Sequence, residues 1–157
     1  RININWNYIG VQIKMIKQRG IIFSLIILSL VLSGCSSESS SKYTDEQLDS
    51  LAQCLTENEV VMYGTFWCPH CSNSKKKFGS SFGYVNYIEC DPKCKPDENG
   101  EILSACKGQE GQPEVCLEKN IEYYDTWLFK DGSKEVGEPS LETLDLKSGC
   151  NLLPPQE

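Results

Sequence analysis

Cys68 and Cys71 stand two residues apart in Trp67-Cys68-Pro69-His70-Cys71, a spacing that can carry thiol–disulfide exchange. That reaction needs a thiolate to attack and a second thiol close enough to resolve the mixed disulfide. The run Val60-Val61-Met62-Tyr63-Gly64-Thr65-Phe66 reads as a buried strand, and a basic helical stretch through Lys75, Lys76, Lys77 and Phe78 follows the pair. Cys68 then opens a helix, where the macrodipole and free N–H groups stabilise a thiolate. Cys71, one turn further in, is the resolving thiol. Pro69 suits the first turn because its missing N–H costs nothing there. His70 is expected to bring positive charge or a donor to the Cys68 sulfur, lowering its thiol pKa and making the disulfide more oxidising. A structural disulfide and half a zinc site are the competing readings of a CxxC. The chain has one His and no second CxxC, so no metal is expected. No cofactor is expected either. Lys75, Lys76 and Lys77 read as a solvated helix face.

Nine cysteines in 157 residues fit a disulfide-bonded protein in an oxidising compartment. The start of the sequence supports export. Lys14-Met15-Ile16-Lys17-Gln18-Arg19 is basic, and Ile21 to Leu32 is an apolar run of signal-peptide length, short for a membrane span. Leu32-Ser33-Gly34-Cys35 resembles a prokaryotic lipobox, which makes Cys35 the expected lipidation site and a lipid anchor the expected attachment to the membrane. Residues 1–35 are therefore read as upstream residues plus a lipoprotein signal peptide, with Met15 as the start of the signal. Residues 36–43, rich in Ser, read as a flexible tether. Residues 36–157 carry eleven basic against twenty-two acidic side chains, a net of −11, which argues against a nucleic-acid partner.

The elements that must position the pair are legible over residues 44–150, with 151–157 as a tail. Thr44 and Gln47 form a capping box ahead of Leu48, Leu51, Ala52 and Leu55 at helical spacing. Tyr84 to Glu89 reads as a second strand, residues 91–113 as a loop or insertion, and 114–120 as a short helix. Asp97-Glu98-Asn99-Gly100-Glu101 misses the calcium-loop spacing and reads as a turn. Thr126 to Phe129 is a strand, Asp131-Gly132 a hairpin turn, and Lys134 to Val136 the return strand. Pro139-Ser140 opens a last helix with Leu141, Leu144 and Leu146, ending at Gly149-Cys150. The fold class is α/β: a thioredoxin-like sandwich, with helices flanking a central mixed sheet, plus a cysteine-rich insertion.

Met62 to Cys71, Lys77-Phe78-Gly79, Tyr87-Ile88-Glu89-Cys90-Asp91, Thr126-Trp127 and Ser148-Gly149-Cys150 together resemble the thioredoxin-like domain associated with vitamin K epoxide reductase homologues. The resemblance covers roughly residues 48–150. It implies a domain that passes disulfides between substrate proteins and a quinone-linked membrane partner, with Cys68 as nucleophile and Cys71 as resolving thiol. These 157 residues show no four-helix membrane domain, so such a partner is expected to be a separate protein. The insertion carrying Cys94 and Cys106 departs from the family pattern. So does the substrate loop, where Tyr124-Asp125-Thr126-Trp127 stands in place of Tyr-Pro-Thr-Trp. A cis bond before a non-proline residue costs about 2.5–4 kcal/mol, so a trans bond and a different loop shape are expected here. The Asp125 carboxylate is expected near Cys68, where it would raise that thiol's pKa and oppose His70.

With Cys35 lipidated, eight cysteines remain. The preferred pairing is Cys68–Cys71 as the redox pair, Cys54–Cys150, Cys90–Cys116 and Cys94–Cys106, although eight cysteines allow many connectivities. The function expected is an extracytoplasmic thiol–disulfide oxidoreductase that forms disulfides in exported cysteine-containing proteins. A reductant or isomerase, for example in cytochrome c maturation, and a non-catalytic binding lipoprotein are the alternatives.

Overall fold

A computed structural model describes residues 42–154. The signal-like run, Cys35 and nearly all of the tether lie outside the described residues.

Helix α1 spans Asp45–Glu57. Thr44 caps it through a reciprocal box, its side chain accepting from Gln47 N while Gln47 accepts from the Thr44 main chain. Leu48, Leu51, Ala52 and Leu55 form its buried face. Strand β1 (Val61–Gly64) follows, then helix α2 (Pro69–Phe78), strand β2 (Tyr87–Glu89) and the short helix α3 (Pro113–Glu118). Strands β3 (Thr126–Leu128) and β4 (Lys134–Val136) form a hairpin, and helix α4 (Leu141–Ser148) closes the order. The sheet runs β2-β1-β3-β4, with β1 parallel to β2 and the other two pairings antiparallel. This is a thioredoxin-like α/β sandwich with a mixed sheet.

Alternation along β1 sorts the two layers. Met62 packs with Trp127, Phe78, Leu51 and Leu55 on the face covered by the long helices, and Phe78 stacks on Trp127 at 5.9 Å between ring centroids. Tyr63 faces the opposite side, with Cys90, Cys116 and Ile121. Three disulfides join Cys54 to Cys150, Cys90 to Cys116 and Cys94 to Cys106. The first ties α1 to the residue just past α4, and the second ties the end of β2 to α3.

The structure differs from the sequence expectations in three places. Tyr84 to Glu89 is not one strand: Gly79–Tyr84 is a 3-10 turn and only Tyr87–Glu89 pairs with the sheet. Thr56 draws the intervening chain aside, its hydroxyl donating to Tyr84 O and accepting from Asn86 N at the end of α1. Helix α3 stops at Glu118, and the chain turns through Asn120 in the left-handed region. In α4, Leu141 and Leu144 are buried but Leu146 is 72% exposed. It lies well round the helix from Leu141, and buried Asp145 takes the inward position, accepting from Leu152 N and Leu153 N. Within the insertion, Pro92–Cys94 and Ser104–Cys106 are 3-10 turns, and Asp97 closes a turn by accepting from Asn99 N and Glu101 N.

Candidate active site

Strand β1 ends at Gly64 and delivers the chain to Cys68 in four residues. Cys68 is the N-cap of α2, with extended backbone, and Pro69 occupies the first turn. The Cys71 N–H donates to Cys68 Sγ at 3.1 Å, so the sulfur takes the place that a Ser or Asp oxygen fills in other caps. Both residues are free thiols in this structure. They are also buried, at 3% for Cys68 and 1% for Cys71, while Trp67, Pro69 and His70 around them are exposed.

The environment separates the two sulfurs. Burial pushes the Cys71 thiol well above its ordinary value, and the adjoining Cys68 thiol adds to this, while the Thr65 main chain opposes it. Cys68 has a main-chain donor at the N-terminus of α2, while Cys71 lies behind it and is held protonated by burial. The two sulfurs thus differ in position and environment, as an attacking and a resolving thiol must.

Gly64 and Asp91, to which sequence reasoning gave no role, build this arrangement together with Tyr124 of the expected substrate loop. A Cβ on Gly64 would lie 2.7 Å from Cys71 Sγ, so the sulfur packs against the strand only because the residue is glycine. Asp91, just past β2, accepts from Trp67 Nε1 at 2.6 Å and from Lys93 N, fixing the indole beside the pair. Tyr124 packs edge-on against the same indole. These contacts join β1, β2 and the β3 approach, and no local motif marks them.

The loop at Tyr124-Asp125-Thr126 corrects one expectation. The Tyr124–Asp125 peptide bond is cis although residue 125 is not proline. The Asp125 carboxylate is fully buried beneath α2. It accepts from Ser74 Oγ at 2.5 Å, Trp127 Nε1 at 3.1 Å and the Glu138 N–H at 2.7 Å. Its charge contributes to the elevation of the Cys71 thiol. Thr126 is buried, its hydroxyl donating to Tyr123 O.

His70 also has another partner than expected. Its Nδ1 lies 3.4 Å from Glu138 Oε2, and the ring is largely exposed. Asn73 Nδ2 donates to the same carboxylate oxygen, and Lys77 Nζ donates to Glu138 O and Pro139 O. Lys77 thus holds the β4–α4 connection, and Lys75 lies 3.5 Å above the Tyr87 ring centroid. Burial lowers the pKa of Lys75. Only Lys76 of the three is a solvated side chain. Among the described residues, no three His, Cys, Asp or Glu side chains converge to hold a metal ion.

No protein-family model matches the chain. Over 117 residues, 74% of its length, the chain is 34% identical to the thiol-disulfide oxidoreductase LTO1 of Arabidopsis thaliana. The chain spans 27% of that protein's length.

Proposed function

We propose that this protein is a thiol–disulfide oxidoreductase acting outside the cytoplasmic membrane, with Cys68 and Cys71 as its working pair. Disulfide formation in exported proteins is the direction we assign. The observation that carries the reading is the placement of Cys68 at the N-cap of α2, accepting from Cys71 N, with Cys71 buried behind it. The similarity to a thiol-disulfide oxidoreductase supports the same chemistry.

In this reading a client thiolate attacks Cys68 Sγ of the oxidised pair, and the Cys68–Cys71 bond breaks. A second client thiolate then displaces Cys68, so the client loses two electrons and the pair gains them. The Pro69-His70 pair between the two cysteines, at the opening of α2, supports this direction. A quinone-linked membrane partner would reoxidise the pair. The three further disulfides suit an oxidising compartment, and the lipobox-like Leu32-Ser33-Gly34-Cys35 suits a lipid anchor at Cys35.

The test is to express the full chain with Cys71→Ala and search for covalent adducts on Cys68. Exported client proteins and a membrane redox protein are the expected adducts. Absence of any adduct, with no reversible Cys68–Cys71 disulfide in the unaltered protein, would overturn the reading. Cys35→Ala should release the protein from the membrane fraction, and continued membrane retention would contradict the anchor.

A further inference from the structure

Glu138 takes no part in the exchange between Cys68 and Cys71, yet its main chain and its side chain are both held beside the pair. It lies in the connection from β4 to α4, after Gly137 and before Pro139. Its φ of +40° is uncommon for a residue other than glycine and persists only where the surroundings over-determine it. Here they do. The Glu138 N–H donates to Asp125 Oδ1, and the Glu138 carbonyl accepts from Lys77 Nζ. Glycine would meet these main-chain demands with less strain, so what glutamate adds at this position is its carboxylate.

That carboxylate lies against one face of α2. His70, Asn73 and Lys77, spaced three and four residues apart, all meet it. Asn73 Nδ2 donates to Oε2 at 3.1 Å, Lys77 Nζ lies 3.5 Å from Oε1, and His70 Nδ1 lies 3.4 Å from Oε2. Asn73 first, then His70 and Lys77, hold the Glu138 carboxyl below its ordinary value, so it is ionised at neutral pH. An ionised carboxylate only accepts hydrogen bonds, so His70 Nδ1 carries the proton that faces it. Cys68 Sγ, by contrast, accepts from the Cys71 N–H, and among the described residues no hydrogen bond joins it to His70. The other charged or titratable groups at this cluster are Lys77 on α2, Asp125 before β3 and the two thiols.

We propose that Glu138 is a positioning residue of the redox pair: its carboxylate holds the His70 ring by Nδ1, away from Cys68 Sγ, and so limits how far His70 stabilises the reduced pair. The proposal rests on Cys68 and Cys71 being the working pair, but not on the direction of net electron flow. The pair takes up two electrons on reduction. Against glutathione the reaction balances as the Cys68–Cys71 disulfide plus two glutathione thiols giving two cysteine thiols plus glutathione disulfide. An N–H of His70 turned to Cys68 Sγ would stabilise the reduced sulfur more than the disulfide, and whatever stabilises the reduced pair makes it a stronger oxidant. Held by Glu138, the ring gives its Nδ1 proton elsewhere. Glu138 thus keeps the pair less oxidising than Cys68-Pro69-His70-Cys71 with a free imidazole would be.

Glu138→Gln keeps the side-chain shape and every main-chain contact while removing the charge. His70 is the only histidine in the sequence, so the 15N-labelled full chain presents one imidazole to follow by NMR. In the unaltered protein the neutral ring should carry its proton on Nδ1, and in Glu138→Gln it should lose that preference. In glutathione buffers at pH 7 the variant's equilibrium should shift toward the reduced pair by about threefold, or ~14 mV. In a His70→Ala background the same substitution should move it by less than half as much on the logarithmic scale, since Glu138 acts through the ring. A shift below about twofold, a shift toward the disulfide, or one that His70→Ala leaves at half its size or more overturns the proposal. An unchanged ring signal in Glu138→Gln overturns it as well. Should that variant fail to fold, a neutral ring protonated on Nε2 in the unaltered protein overturns it. A Cys68–Cys71 pair that never oxidises in the unaltered protein would instead defeat the reading of the pair itself, and this proposal with it.

Discussion

Asp125→Asn separates charge from shape at the carboxylate beneath α2. In the unaltered protein that group accepts three hydrogen bonds, from Ser74 Oγ, Trp127 Nε1 and Glu138 N, in a fully buried position. An asparagine oxygen at the Oδ2 position can still accept from Ser74 and Trp127. Its amide nitrogen then faces the Glu138 N–H, donor against donor. Hydrogen bonds to a charged group are worth about 1.5–3 kcal/mol and neutral ones roughly half, so two weakened bonds cost about 1 kcal/mol each. The orphaned, partly buried Glu138 N–H adds about 1 kcal/mol. Relief from burying a charge offsets part of this, leaving an expected destabilisation of about 2 kcal/mol. Urea unfolding of Asp125→Asn, Ser74→Ala and the double variant measures both the loss and the Ser74–Asp125 coupling, expected at about 1 kcal/mol. The same variant should lower the Cys71 thiol pKa, because the Asp125 charge helps to raise it. Cys71 alkylation against pH in a Cys68→Ser background would show that shift. Full stability with no coupling, and an unmoved Cys71 titration, would refute the assignment of Asp125 as a hydrogen-bonded support of α2.

Gly64→Ala should force Cys71 Sγ away from β1, costing about 1–3 kcal/mol and slowing closure of the pair; a fully stable variant with normal closure would contradict the contact. Glu142 binds Lys42 and Tyr43 to α4, and these hydrogen bonds hold its carboxyl below the ordinary 4.5. Its contribution is therefore complete above pH 4.5 and lost as pH falls through the lower folded value. Glu142→Gln should reduce the thermal midpoint at pH 7 and flatten its decline in acid, as read by calorimetry from pH 7 to pH 3. The Cys54–Cys150 bond closes a loop with a sequence separation of 96, for which the chain-entropy account gives about 4.7 kcal/mol. Replacing both cysteines with Ala should lower the urea midpoint accordingly, and a loss below about 1 kcal/mol would show that the bond constrains little.

The parts of the fold that the sequence disclosed are those specified within a few residues. The Thr44–Gln47 capping box, the helix opened by Cys68 and Pro69, and the Asp131-Gly132 turn each act locally, and the structure shows each of them. The second strand misled because Tyr84 to Glu89 has strand-like side chains, yet its backbone is claimed by Thr56, 28 residues earlier. The site was half legible for the same reason. Its thiols sit in one short motif, whereas Ser74 meets Asp125 across 51 positions and Trp67 meets Asp91 across 24. Asp125 shows this most clearly. Three donors from distant elements hold its carboxylate beneath α2, and no local motif marks them.

Everything proposed for the site depends on Cys68 and Cys71 forming a reversible, working disulfide. Equilibrating the protein in glutathione redox buffers, trapping the thiols with a mass label and counting them by mass spectrometry tests it directly. Cys68 and Cys71 are expected to titrate together at a potential well above about −300 mV, toward the roughly −120 to −200 mV of oxidising thioredoxin-fold proteins, while the other three disulfides persist. A Cys68–Cys71 pair that never oxidises, or one as resistant to reduction as the structural disulfides, would contradict it.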